Sequence, residues 1–204
     1  MMRGRAPRIF LSCWSLPVRF ATICLALLGA ASSAFAETPQ ERLPTCYACH
    51  GALGTSDTAG VPSLGGQPAD YLLVQLVLFR DKQRVVDVMN AMAAGLSDDD
   101  LRALADSMSK LEPPKTQAAL DTAAMEQGRA LVAKYRCGSC HAANLAGQDQ
   151  IPRLAGQRED YLVKQLTDYK SNARAGYDPA MNEVAQEVQA ADIPVLAKYL
   201  SSFH

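Results

Sequence analysis

Cys46-Tyr47-Ala48-Cys49-His50 and Cys137-Gly138-Ser139-Cys140-His141 are two copies of one pentapeptide pattern, and together they decide the fold. Cys-x-x-Cys-His is the attachment signature of c-type haem. The two thiols add across the porphyrin vinyls to form thioethers, and the adjacent imidazole ligates the iron from the same face. Two intervening residues let one helical turn present both sulfurs to a single porphyrin edge. A structural zinc site would place its cysteine pairs about 15–20 residues apart. Here the pairs lie 91 residues apart, and each is followed at once by histidine. A thioredoxin-like dithiol belongs beside a βαβ pattern, and the sequence has no such alternation. The spacing therefore predicts two covalently attached c-type haems, one on Cys46, Cys49 and His50, the other on Cys137, Cys140 and His141.

Residues 1–36 read as a signal peptide outside the fold. Arg3, Arg5, Arg8 and Arg19 form a basic region with no acidic residue, an apolar run follows from Phe20 to Ala31, and Ala34-Phe35-Ala36 is a small-residue cleavage site. The run is short for a membrane span, although an uncleaved anchor is the alternative. The expected destination is the periplasm, because covalent haem attachment of this kind is extracytoplasmic in bacteria. Cleavage would remove Cys13 and Cys24, leaving four cysteines, all inside the two pentapeptides. No thiol then remains for a disulfide, a zinc site or an axial ligand.

The exported part carries 16 basic and 21 acidic residues, a net charge of −5. Residues 37–114 hold 6 basic and 11 acidic groups, whereas 115–204 hold 10 of each. No basic stripe exists, which excludes nucleic acid as a partner. An electrostatically steered partner would meet two different faces.

A repeat divides the chain. Val61-Pro62-Ser63-Leu64-Gly65-Gly66-Gln67 returns as Ile151-Pro152-Arg153-Leu154-Ala155-Gly156-Gln157. Asp70-Tyr71-Leu72 and Gln75-Leu76 return as Asp160-Tyr161-Leu162 and Gln165-Leu166; Phe79 matches Tyr169 and Arg84 matches Arg174, all at an offset of 90. These positions lie on one side of a helix in each copy. A further helix closes each copy. In the first, Ser97 is the expected N-cap and Leu101, Leu104, Met108 and Leu111 form the apolar stripe, stopped by Glu112-Pro113-Pro114. In the second, Ile193, Leu196, Leu200 and Phe203 form it, with Pro194 tolerable in the first turn. The expected organisation is a domain over residues 37–111, a linker over 112–122 and a second domain over 123–204.

The segment between these helices should supply the sixth iron ligand. Met89-Asn90 with Ala93 and Leu96 corresponds to Met181-Asn182 with Ala185 and Val188, at an offset of 92. The chain has three histidines, so bis-histidine ligation of both haems is excluded. A thioether favours ferrous iron and raises the potential. Core filling is the other use of such methionines. Met92 competes with Met89, and the spacing to Ala93 and Leu96 puts Met89 ahead. The expected metal ligands are His50, Met89, His141 and Met181.

These motifs, all present twice and in order, resemble the periplasmic dihaem class I cytochromes of the cytochrome c4 type over nearly the whole exported chain. The resemblance implies an all-α fold of two tandem cytochrome c domains, each wrapped around one haem and related by a pseudo-twofold axis. It also implies that the carbonyls of Pro62 and Pro152 accept Nδ1–H bonds from His50 and His141, fixing the ring tautomer and strengthening the ligand. Tyr71, Tyr161, Arg84 and Arg174 would contact haem propionates or the domain interface, with ordinary helix-face packing as the alternative. One departure stands out: Glu37 to Thr45, with Pro39 and Pro44, is too short for the N-terminal helix usual in this fold.

With histidine on one side and methionine on the other, each iron has six ligands and no vacant position, so the expected function is single-electron transfer and not catalysis. The expected partners are redox proteins such as a membrane oxidase, a cytochrome bc complex or a dehydrogenase. The sequence leaves open peripheral membrane association, and whether the chain acts alone as a monomer or as a subunit. The rival reading is a dihaem enzyme, either a peroxidase, which needs an open iron, or a thiosulfate-oxidising dehydrogenase, which would call for a cysteine ligand.

Overall fold

The computed structural model describes residues 37–115, 119–175 and 179–203. The leader expected over residues 1–36 and the terminal His204 lie outside them. Among the described residues the fold is all-α, with no strand. The first half comprises α1 (Pro39–His50), α2 (Ala69–Arg80), α3 (Asp87–Ala93) and α4 (Asp98–Ser109). The second comprises α5 (Thr122–Lys134), α6 (Gly138–His141), α7 (Glu159–Lys170), α8 (Ala180–Glu187) and α9 (Asp192–Ser202).

Contrary to the expectation from its two prolines, the stretch before the first pentapeptide is helical. Thr38 caps the Glu41 N–H while the Glu41 carboxylate returns to the Thr38 N–H at 2.8 Å, a complete capping box. Pro39 occupies the first helical position, where its missing N–H costs nothing. Pro44 forfeits one internal bond, but the pentapeptide itself prolongs the helix to His50. The second half builds the same region in two pieces: α5 ends at Lys134, and the short α6 carries the pentapeptide.

The closing helices form as the sequence indicates. Ser97 caps α4, bonding reciprocally with Asp100. Leu101, Leu104 and Met108 of α4 are buried, with Leu111 half-buried beyond the helix end. They pack on α1 and α2 through Leu43, Leu72 and Leu76. In the second half Ile193, Leu196 and Leu200 of α9 pack on α5 and α7. The α5–α9 crossing is close because Gly128 has no side chain: a Cβ there would lie 2.3 Å from Tyr199.

The buried apolar clusters of the described residues each stay within one half. Between the halves run hydrogen bonds. Gln67 Nε2 donates to the Arg153 carbonyl at 2.9 Å and Gln157 Nε2 to the Ser63 carbonyl at 2.8 Å, a pair related by the same offset as the sequence repeat. Arg158 donates to the Ser56 carbonyl at 2.9 Å, and the Gly60 N–H to Asp160 at 2.8 Å.

Candidate haem sites

Each pentapeptide presents its residues alike. His50 ends α1 and His141 ends α6; both are buried, while Cys46 and Cys137 are half-buried and Cys49 and Cys140 exposed. The Nδ1 atom of His50 lies 2.9 Å from the Pro62 carbonyl, and that of His141 lies 2.8 Å from the Pro152 carbonyl. A carbonyl can only accept, so Nδ1 carries the proton in both rings and Nε2 keeps its lone pair for a metal. Burial pushes both imidazoles below their ordinary pKa, against the pull of the carbonyls, so both are held neutral. Burial raises the Cys46 and Cys137 thiols, so neither is an activated thiolate.

Short polar contacts brace the loop after the first pentapeptide. Ser56 Oγ donates to the Cys49 carbonyl at 2.8 Å, and the Ser56 N–H donates to Ser63 Oγ at 3.1 Å. After the histidines the chain turns with positive φ in both halves. Gly51 does so without penalty (φ 83°), but its counterpart is Ala142 (φ 66°, ψ 157°), a conformation nearly confined to glycine.

Met89 is half-buried on α3 and Met181 half-buried on α8, whereas Met92 is 36% exposed. An asparagine follows each half-buried methionine and anchors its segment. Asn90 Nδ2 donates to the Phe79 and Arg84 carbonyls at 2.7 and 2.8 Å, while its Oδ1 accepts from the Val86 N–H at 2.8 Å. Asn182 donates to the Arg174 carbonyl at 2.8 Å.

Tyr161, Arg84 and Arg174 come together between the halves. Arg84 donates to Gln75 of its own half at 2.6 Å, and to Gln165 and the Tyr161 hydroxyl of the other at 2.9 and 3.1 Å. Arg174 mirrors it, donating to Gln165 of its own half and to Gln75 across the seam at 3.0 Å. Each guanidinium also lies over an aromatic ring: Arg84 is 4.7 Å from the Phe79 centroid and Arg174 is 4.6 Å from that of Tyr169. The Tyr161 phenol is lowered: burial opposes its ionisation, but the flanking guanidiniums outweigh it.

Two permanently charged groups thus meet without a carboxylate partner among the described residues. Among the described residues the buried Nε–H of Arg174 finds no acceptor. A buried cation and an orphaned donor are costly unless an anion joins them. The residues present fit haem: thiols for the vinyls, a neutral imidazole for the iron, and uncompensated guanidiniums for propionates.

Gln67, Gln75, Asn90 and their counterparts recur with the repeat, but the bonds they make are not evident from the repeat alone. The available signal was their polarity at buried positions of helices and loops that are otherwise apolar.

The Cytochrome c family model matches residues 125–203. The chain is 31% identical to the cytochrome c4 of Pseudomonas aeruginosa over 89% of its length and 96% of that protein's. It is 35% identical to a thiosulfate dehydrogenase electron acceptor of Thiomonas intermedia, over 87% of its length and 86% of the relative's. Among solved structures it is similar to reduced recombinant cytochrome c4 from Pseudomonas stutzeri, with a TM-score of 0.73 and 33% identity, covering 81% of this chain and 97% of that one.

Proposed function

The chain belongs to the cytochrome c4 family of dihaem electron-transfer cytochromes, and from that membership we propose that it shuttles single electrons in the periplasm between respiratory partners. Its cofactors are two covalently attached haems of c type. One observation supports the reading above the others: a neutral, buried histidine beside two thiols, with Nδ1–H held by a proline carbonyl, built twice. When bound, haem iron supplies a one-electron couple. Cys46 and Cys49 tether one group and Cys137 and Cys140 the other, with domains over 37–111 and 123–204 joined by the linker 112–122.

Each protein group has one task. His50 and His141 would offer Nε2 as one iron ligand, and Met89 and Met181 a thioether as the other. The asparagine anchors fix the segments that carry those methionines. Arg84 and Arg174, with Tyr71 and Tyr161, would pair with the propionates. No helix among the described residues is long and apolar enough to cross a membrane.

A second reading, a haem subunit that accepts electrons from a dehydrogenase, is favoured by the relatives named thiosulfate dehydrogenase electron acceptors. Mass spectrometry of the exported protein tests the haem assignment: two haem additions are expected, and an unmodified polypeptide made alongside a working maturation apparatus refutes it. Carbon monoxide separates carrier from enzyme. Scarce binding to the reduced protein fits six-coordinate irons; ready binding sinks that assignment.

A further inference from the structure

The peptide group joining Pro62 to Ser63 is engaged at both ends. Its carbonyl accepts Nδ1–H of His50 at 2.9 Å, and its N–H donates to Gln157 Oε1 at 2.8 Å. The peptide joining Pro152 to Arg153 repeats the arrangement, accepting from His141 at 2.8 Å and donating to Gln67 Oε1 at 3.0 Å. In both cases the glutamine belongs to the opposite half. Each glutamine also donates Nε2 to the carbonyl of the residue it accepts from, so its amide grips the backbone at two points. Ser63, Gln157 and Gln67 are 1%, 4% and 5% exposed, which keeps bulk water from replacing these bonds.

A peptide group relays polarisation. Donation from its N–H moves electron density onto its carbonyl oxygen, and hydrogen bonds in such chains reinforce one another. A stronger carbonyl acceptor draws the Nδ1 proton and makes the imidazole a better electron donor to a metal. A better donor stabilises ferric iron and lowers the potential. We propose that Gln157 tunes the haem held by His50, and Gln67 the haem held by His141, each from the opposite half. The chain Gln157 Oε1, Ser63 N–H, Pro62 carbonyl, His50 Nδ1–H is the physical link. Both glutamines are positioning residues, acting through the histidine and not on the haem directly.

The proposal rests on both histidines ligating haem iron. That premise is read separately, from the low-spin visible spectrum and haem count of the unmutated holoprotein. The test is redox titration of holoprotein Gln157→Leu and Gln157→Glu, followed by NMR that resolves the haem methyl signals of each half. Leucine removes the acceptor, so the midpoint of the His50 haem rises while that of the His141 haem stays. Glutamate keeps an acceptor for the Ser63 N–H but sets its second oxygen against the Ser63 carbonyl, which favours the neutral acid there, so the same midpoint moves less than in the leucine variant. The expected displacement is about two- to tenfold in the distribution of the electron between the haems, about 59 mV at the tenfold end. Gln67 variants shift the His141 haem instead.

In the reduced protein the Nδ1 proton of His50 moves upfield in Gln157→Leu, reporting the weakened bond directly. The proposal is overturned if the His50 haem holds its potential in Gln157→Leu, if Gln157→Glu raises it as far as Gln157→Leu does, or if the displacement falls on the His141 haem. Should Gln157→Leu not fold, Gln67→Leu decides through the mirrored link: a rise at the His141 haem alone supports the proposal, and anything else overturns it.

Discussion

Arg84 and Arg174, ninety residues apart in sequence, share the same two glutamines, Gln75 and Gln165, each reaching one on its own side and one across the seam. Charged forks of this kind hold two acceptors in fixed geometry, which a lysine cannot do. On the proposed pairing with propionates, replacing Arg174 by Leu removes a fixed positive charge from the haem surroundings. Both midpoint potentials should fall, and thermal or denaturant unfolding should show a loss of about 1–3 kcal/mol from the glutamine oxygens left unpaired. Arg174→Lys should restore part of the potential but little of the stability. Unchanged potentials in Arg174→Leu would contradict the placement of that charge beside the haems.

The proposed methionine ligands separate the two centres. Met89→Ala should lower the potential of the haem in the first half alone, and Met181→Ala that of the haem in the second, because each removes a thioether that favours ferrous iron. Met92, 36% exposed, should tolerate Ala with both potentials intact. Redox titration of the three variants checks this, and a fall in Met92→Ala with none in Met89→Ala would exchange the two roles.

Ala142 carries strain that its counterpart Gly51 escapes. With φ 66° and ψ 157° it occupies a conformation costing about 1–3 kcal/mol for a residue with Cβ. Ala142→Gly should therefore stabilise the second half, by about 1 kcal/mol once the greater freedom of the unfolded glycine is counted. A lowered unfolding midpoint in that variant would contradict the strain.

Asp160 gives the seam a pH dependence. Its carboxyl lies below the ordinary 3.8 because it pairs with Arg158 first, and also accepts from the Gly60 and Tyr161 N–H groups. A depressed carboxylate contributes stability that is complete above the ordinary value and lost as the pH falls through the lower folded value. Acid unfolding should consequently be shallower for Asp160→Asn than for the parent chain below pH 3.8. Identical acid profiles would show that the pairing adds nothing.

The repeat made both halves legible because it copied whole helices with their caps and apolar faces; Ser97 and the leucine stripe of α4 needed no tertiary information. The first helix departs from expectation for a local reason. Pro39 and Pro44 suggest interruption until Thr38 and Glu41 are seen as a capping box and the pentapeptide as helical continuation. The glutamines posed a harder problem. An offset of 90 shows that Gln67 and Gln157 recur. It cannot show that each reaches into the opposite copy, since that depends on how two folded halves are set against each other.

The apolar clusters that stop at the edge of each half carry one last consequence. The contact between the two copies is made instead of amides and of guanidiniums laid over the Phe79 and Tyr169 rings. Directed bonds of this kind dictate how one copy is seated on the other, which greasy surfaces, sliding freely, would leave to chance.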